Sequence, residues 1–357
     1  YLADSKDNLL SIIPTNKNSY LKIYSRKELD SQVTQIHNNE ITNNNQDLKI
    51  LNSGQGGVYY WGGAMEPVVD DVNNDGKKEV FVYMGGNPTK IYGYNFDGSN
   101  LQGWPVEVTG VDLPGGNLGS PTIADINNDG YKEIIVNGRE YIHVYDYNGY
   151  LVKNISLSFV SNPTTETVIY DLNNDGKMEI IRKYSYNGEY TAVLDSDGNI
   201  LTGWPKLTYD VYDENHFNAY SCSYLGFEST PAIGDIDGDG EKEIIIGSIR
   251  NVFDEGLDPE NPWDKWHCEG RINAFKLNGS EIKGFPVDIN GKLFGSPSVG
   301  DINNDGYDEI VIGTSESKLG SGLYVIGKNG SVLNGWPKLI NDSILGSVAL
   351  FDYNNDE

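Results

Sequence analysis

No apolar run in this chain approaches the ~18 residues that a membrane-crossing helix needs, so direct membrane insertion is not expected. Positive charge is scarce as well: 26 Lys and Arg stand against 52 Asp and Glu, a net charge of −26. So acidic a balance argues against nucleic acid and anionic membrane surfaces as partners. Signals that start and stop helices are almost missing. The four histidines stand in scattered contexts, and there is neither a Ser/His/Asp arrangement nor a phosphate-binding glycine loop. The two cysteines, Cys222 and Cys268, say nothing by count alone.

What the chain has is glycine (42), tyrosine (24) and abundant Asn and Asp between short apolar runs, the pattern of many short strands joined by turns. One stretch recurs five times: Asp71-Val-Asn-Asn-Asp-Gly-Lys-Lys-Glu79, Asp125-Ile-Asn-Asn-Asp-Gly-Tyr-Lys-Glu133, Asp171-Leu-Asn-Asn-Asp-Gly-Lys-Met-Glu179, Asp235-Ile-Asp-Gly-Asp-Gly-Glu-Lys-Glu243 and Asp301-Ile-Asn-Asn-Asp-Gly-Tyr-Asp-Glu309. A sixth copy, Asp352-Tyr-Asn-Asn-Asp-Glu357, has Glu357 in place of the glycine and lacks the ninth-position Glu. Positions 1, 3, 5 and 9 carry oxygen side chains, and the glycine at position 6 permits a sharp turn. Position 7 (Lys77, Tyr131, Lys177, Glu241, Tyr307) offers a backbone carbonyl. The expected side-chain ligands are Asp71, Asn73, Asp75 and Glu79; Asp125, Asn127, Asp129 and Glu133; Asp171, Asn173, Asp175 and Glu179; Asp235, Asp237, Asp239 and Glu243; and Asp301, Asn303, Asp305 and Glu309. Hard oxygens in that number suit Ca²⁺, about five ions in all, whereas Mg²⁺ prefers near-ideal octahedral geometry and keeps its waters.

The EF-hand loop is the nearest confusable motif, and it needs a bidentate Glu at position 12 and flanking helices. Position 12 here is Val82, Val136, Arg182, Ile246 or Ile312, and β-branched apolar residues after position 9 announce a strand. A single Asp/Asn/Gly loop is often only an Asx turn. Five copies that keep all three carboxylates point to a cation.

The loops recur 46 to 66 residues apart, a period that with strand-like content fits a propeller blade. Each period repeats one grammar. A small-residue entrance such as Gly119-Ser-Pro or Gly295-Ser-Pro leads the first strand, and the acidic loop joins it to a second. A third strand ends at Asp97-Gly98, Asn148-Gly149, Asp197-Gly198, Asn278-Gly279 or Asn329-Gly330, read as two-residue hairpins. The fourth strand carries Gly103-Trp-Pro, Gly203-Trp-Pro, Gly284-Phe-Pro or Gly335-Trp-Pro.

Over about residues 56–357 the loop and its flanking strands resemble the FG-GAP or VCBS repeat of integrin α-subunit propellers, and are similar to repeats of propeller lectins and some bacterial polysaccharide lyases. Two features depart from the family pattern: the entrance reads Gly-Ser-Pro rather than Phe-Gly, and Gly-Trp-Pro recurs in the outer strand. The expected fold is all-β, one β-propeller domain over 1–357 built of four-stranded antiparallel blades. Residues 1–55 lack a full loop but hold three strand-like runs, 56–340 hold five repeats, and 341–357 supply a first strand. Joined, the two ends make a composite blade and a ring of six, with seven as the alternative if Leu2-Ala-Asp4 is the tail of an original first strand.

Residues 209–228 and 249–270 lengthen a blade-to-blade link and a second-to-third turn, both on the face opposite the acidic loops. Each carries a cysteine, a histidine and aromatics. A Cys222–Cys268 disulfide and a ligand-binding rim of His216, Phe217, Tyr220, Trp263, Trp266 and His267 are therefore expected. Trp104, Trp204 and Trp336 recur with the blades and read as packing, and His143 as a structural strand residue. The expected function is a secreted or cell-surface, Ca²⁺-stabilised module binding a glycan or an extracellular protein. The alternative is a polysaccharide lyase or hydrolase on the same propeller.

Overall fold

The apolar run after each acidic loop forms the second strand of an antiparallel sheet, and every regular element described is a strand. The computed structural model describes residues 67–84, 88–108, 119–138, 140–157, 162–163, 165–185, 189–209, 229–253, 266–315 and 321–350, together with three strands nearer the N-terminus. Two compact units divide the chain, Tyr1–Tyr59 and Tyr60–Glu357. In the first, β1 (Leu2–Ala3), β2 (Asn8–Pro14) and β3 (Ser19–Ser25) pair in chain order. β1 pairs Leu2 with Leu10. It lies on the edge of β2 that composite closure would give to residues 346–352.

The second unit repeats one sheet five times. The first sheet is β4 (Val68–Asp70), β5 (Glu79–Met84), β6 (Lys90–Tyr94) and β7 (Val106–Glu107). The second is β8 (Thr122–Ala124), β9 (Glu133–Asn137), β10 (Tyr141–Tyr145) and β11 (Leu151–Ser156). In the third, β12 (Asn162–Pro163) and β13 (Val168–Tyr170) both pair with β14 (Glu179–Ser185), followed by β15 (Glu189–Leu194) and β16 (Lys206–Tyr209). The fourth is β17 (Ala232–Gly234), β18 (Glu243–Phe253), β19 (Trp266–Phe275) and β20 (Val287–Ile289). The fifth is β21 (Ser298–Gly300), β22 (Glu309–Gly313), β23 (Ser321–Ile326) and β24 (Lys338–Ile340). All pairings are antiparallel, and all but that of β12 with β14 join neighbours in sequence, as in propeller blades.

After its leading Glu, each second strand opens on consecutive apolar residues, without alternation, because both of its faces are covered. Ile134 belongs to the cluster shared with Phe81, Tyr83 and Trp104 of the first sheet, while Ile135 joins Ile180, Tyr184 and Leu194 of the third. Ile181 and Ile244 share the next seam, and Ile245 and Ile310 the one after. Successive residues thus feed successive seams.

Glycine sets how closely the sheets approach at their rims. A Cβ on Gly103 would stand 1.8 Å from the Asn148 carbonyl oxygen, and on Gly203 2.0 Å from that of Asn278. The following Trp104 and Trp204 are buried, and their indole N–H groups donate to the Tyr147 and Leu277 carbonyls of the next sheet, at 3.0 and 2.7 Å. Gly-Trp-Pro therefore clasps the neighbouring hairpin. It lies in the bend ahead of the short fourth strand and not within it, a correction to the expected placement. The hairpins differ too. Gly98 N–H donates to Asn95 O and Asn95 N–H to Ser99 O, and Gly98 alone turns to positive φ (+82°). This is a three-residue loop closed by a glycine bulge, whereas a two-residue type I′ turn would also need Asp97 at positive φ.

Residues 341–350 form no strand, contrary to expectation, yet they occupy a first strand's place. Ser296 N–H donates to Ser347 Oγ and Ser298 Oγ–H to Val348 O, as Ser120 and Thr122 of the second sheet donate to Glu166 and Thr167 of the third. A strand also needs a paired second strand, and none lies beside this segment among the described residues. On the same flank, Trp336 is half-buried and Leu339 and Leu345 are 59% and 63% exposed.

Adjacent residues of β14 make opposite electrostatic choices. Arg182 stands where the other sheets have Val82, Val136, Ile246 and Ile312. It is fully buried, donates through Nη2 to Gly138 O at 2.7 Å, and leaves Nε and Nη1 without partners, so burial drives its pKa down to about 9. Lys183, equally buried, pairs with buried Glu189 and donates to the carbonyls of Ser229 and Gly247 at 3.0 and 3.1 Å. At pH 7 the variant Arg182→Met should match or exceed the parent's urea midpoint, because it removes a buried charge that has no counter-ion. Glu189→Gln, which strands the Lys183 charge, should cost about 3–5 kcal/mol. A large loss from Arg182→Met would overturn this account.

Candidate metal centre

Each acidic loop is tied into a ring by its own backbone. In the loop at 71–79, Asp71 accepts Asp75 N–H on Oδ1 (3.2 Å) and Gly76 N–H on Oδ2 (2.9 Å). Asn73 Oδ1 accepts the same Asp75 N–H at 2.9 Å, and Asp75 Oδ1 accepts Lys77 N–H at 2.8 Å. Glu79 opens β5 and is buried, with Oε2 accepting Val72 N–H at 3.1 Å. The pattern returns at Asp125/Gly130, Asp171/Gly176 and Asp301/Gly306, and at Asp235/Gly240 with small changes. The ninth-position Glu accepts the second-position N–H in all five loops. The glycine at position 6 adopts positive φ in every loop, and so does Asn74, Asn128, Asn174 or Asn304 at position 4, with Gly238 in the fourth. Asn is the side chain that best tolerates that region.

The ring gathers carboxylates that repel one another. Asp235, Asp237 and Asp239 each bring an oxygen within 4.8 Å of the others'. Burial, reinforced by neighbouring Asp charges, pushes the carboxyls of Glu133 and Glu243 up to about 7 and raises those of Glu79, Glu179 and Glu309 above the usual range. Glu243 Oε1 is buried with no hydrogen-bond partner. Hard oxygen donors, like charges held together by backbone donors and an orphaned carboxylate oxygen make a set that fits a Ca²⁺ ion. The side chains at positions 1, 3, 5 and 9 would hold it, and the ion would cancel their mutual repulsion.

Neighbouring loops are joined, which the sequence reading missed. Asn74 Nδ2 donates to Gly130 O at 2.5 Å and Asn128 Nδ2 to Gly176 O at 3.3 Å. Lys132 N–H donates to Val72 O and Asp308 N–H to Asp235 O. The signal was the Asn at position 4: it lies outside the ligand set yet recurs in four of five loops.

The loops and the third-to-fourth hairpins share one end of the sheets, as expected: Lys276, which opens the hairpin after β19, reaches Asp237 at 3.1 Å. β18 runs from Glu243 at that end to Phe253 at the other, where Phe253 pairs with Trp266. The two ends of the expected second-to-third turn insertion, 249–253 and 266–270, are thus a lengthened ladder, with Cys268 opposite Asn251, and 254–265 lie outside the described residues. His216, Phe217, Tyr220, Cys222 and Trp263 lie outside the described residues, and Trp266, His267 and Cys268 are described in backbone only. The expected disulfide and rim accordingly fall outside the description. His143 is buried in β10, its Nδ1 2.7 Å from Asn154 Oδ1 on the adjoining strand.

The chain carries the repeat described as FG-GAP-like over residues 71–136 and 125–181, and the FG-GAP repeat over 294–332. A search of curated proteins finds no match. Among solved structures it is similar to the Vibrio cholerae biofilm matrix protein Bap1, at 20% identity and TM-score 0.50, over 80% of this chain and 41% of that one. It is also similar to the Pseudomonas aeruginosa PilY1 C-terminal domain, at 10% identity and TM-score 0.46, over 90% and 79%. A third is the quinohemoprotein alcohol dehydrogenase of Comamonas testosteroni, at 12% and 0.46, over 79% and 53%. The chain therefore spans under half of the Bap1 chain, and likeness at such identity concerns the fold. Among the described residues, no helix is long and apolar enough to cross a membrane.

The raised glutamates fix a pH response. With each folded pKa above the unfolded value, the metal-free fold retains protons that the unfolded chain has released. Its stability is greatest below the ordinary value of 4.5 and falls as pH climbs toward about 7. In EDTA the Tm should decline between pH 5 and 7, and saturating Ca²⁺ should flatten the decline. A chelated protein that grows more stable across that interval would contradict this placement of charge.

Proposed function

We propose that this chain is an extracellular, Ca²⁺-stabilised propeller module that binds a partner without carrying out chemistry. The observation that carries the reading is the acidic loop, built with the same backbone ring at the same end of five successive sheets. Five such rings of gathered carboxylates call for a cation rather than for five coincident turns, and the millimolar Ca²⁺ that weak sites require is found outside cells. FG-GAP repeats point to a binding module, and Bap1, whose sheets resemble these, is by its own description a biofilm matrix protein. The partner is a glycan or an extracellular protein, held on the rim opposite the loops by the aromatics of 209–228 and 249–270. No described residue favours the lyase or hydrolase alternative.

Composite closure gives six blades. Seven becomes the count if β1 is the first strand of a blade of its own.

Metal analysis of the purified chain should find about five Ca²⁺, and chelation should lower the Tm because the ion binds the folded state. Fewer than three ions per chain would overturn the reading. A glycan array probed with and without EDTA then identifies the partner class. Trp263→Ala and Trp266→Ala, each with Tm and calcium content unchanged, should each weaken that binding by at least ~1–2 kcal/mol. Turnover of a polysaccharide that depends on His216 or His267 would replace the binding reading with the enzymatic one.

A further inference from the structure

The loop at 235–243 departs from its four sisters in two linked ways. Its third position is Asp237, where they have Asn73, Asn127, Asn173 and Asn303. And the residue that opens its sheet's outer hairpin is Lys276, where the other sheets have Asn95, Asp146, Asp195 and Gly327. In two sister loops the Asn amide supplies a donor to the buried glutamate: Asn127 Nδ2 reaches Glu133 Oε1 at 3.1 Å, and Asn303 Nδ2 reaches Glu309 Oε1 at 2.9 Å. Asp237 has no proton to give, and Glu243, wholly buried, is left with Oε1 unpartnered. The nearest cation is Lys276. Its Nζ hydrogen-bonds Asp239 Oδ2, stands 3.1 Å from Asp237 Oδ2 and lies 3.8 Å from Glu243 Oε1. Four carboxylates less one ammonium leave the same net charge as a sister loop's three carboxylates and one Asn.

We propose that Lys276 is a built-in counter-ion of this one loop, occupying the place a divalent cation would take, so that Ca²⁺ binds here by exchange with the ammonium. The inference rests on the reading that the loops hold Ca²⁺. It makes this site unlike the other four, because entry of the ion must expel Lys276 from between Asp237, Asp239 and Glu243. The expelled side chain belongs to the 276–280 hairpin, whose Leu277 carbonyl holds the Trp204 indole and whose Asn278 abuts Gly203. Occupancy of this loop is thereby coupled to the clasp between the third and fourth sheets, which the other loops, lacking the lysine, do not do in this way.

Calcium titration calorimetry of the full chain tests the exchange through a cycle of variants. Lys276→Met leaves four carboxylates uncompensated, and one site should tighten by about tenfold or more, since affinity in oxygen sites follows ligand charge. Asp237→Asn keeps the lysine against three carboxylates, and the stoichiometry should fall by one ion. The double variant restores the composition of a sister loop and should restore that ion. A measurement on the parent protein covers the case of a variant that fails to fold. With lysines reductively ¹³C-methylated, the Lys276 resonance, identified by its loss in Lys276→Arg, should shift as Ca²⁺ is added. If the parent binds Ca²⁺ but Lys276→Met leaves affinity and stoichiometry unchanged and the Lys276 resonance does not move, the exchange is overturned while the calcium reading stands. If the parent binds no Ca²⁺ at all, both fall.

Discussion

A buried glutamate that accepts a backbone N–H seven residues before it is the constraint on which the rest of the second unit depends. That one bond, made by Glu79, Glu133, Glu179, Glu243 and Glu309, closes the acidic loop, sets the first residue of the second strand and so fixes the register of first strand on second. The register in turn decides which of two consecutive apolar residues faces the sheet before and which the sheet after. The carboxylate is costly to bury ionised, and the loop holds two or three more carboxylates around it. The fold accepts that electrostatic cost at the end of each sheet, while its apolar seams lie behind it.

Much of this was legible in the residues, and for a physical reason. Asp, Asn and Gly at fixed offsets answer to backbone geometry, so the loops, their flanking strands and their common end of the sheets could be read directly. The glycines before Trp104 and Trp204 were visible as a motif but not as a clasp, because what forbids a side chain there is a carbonyl of the next sheet, some tens of residues away in the chain. The hairpins misled for a subtler cause: Asp-Gly serves a two-residue turn and a glycine-bulged three-residue turn equally well, and only the φ of the Asp separates them. Arg182 gave no sign of burial, since the adjacent pair Arg182-Lys183 reads as a polar, outward-facing stretch until both neighbouring sheets are in place.

The Lys276 arrangement shows how a repeat becomes specialised without losing its frame. The backbone ring around Asp235 survives the change from Asn to Asp at the third position because the bonds that build it come from N–H groups, which any residue supplies. What the substitution alters is charge, and the answering difference lies in the hairpin after β19, where Lys276 reaches Asp237. Two replacements, neither conspicuous alone, leave the net charge of the loop where its sisters have it.

The loop-to-loop bonds carry a different kind of consequence. Because Asn74 reaches the second loop and Asn128 the third, a loop's geometry depends on the one beside it as well as on its own residues. An array linked in this way behaves as a one-dimensional lattice with nearest-neighbour terms. Disorder introduced at an interior repeat spreads to both sides, whereas the same disorder at a terminal repeat spreads only inward, so identical loops differ in importance by their rank along the chain.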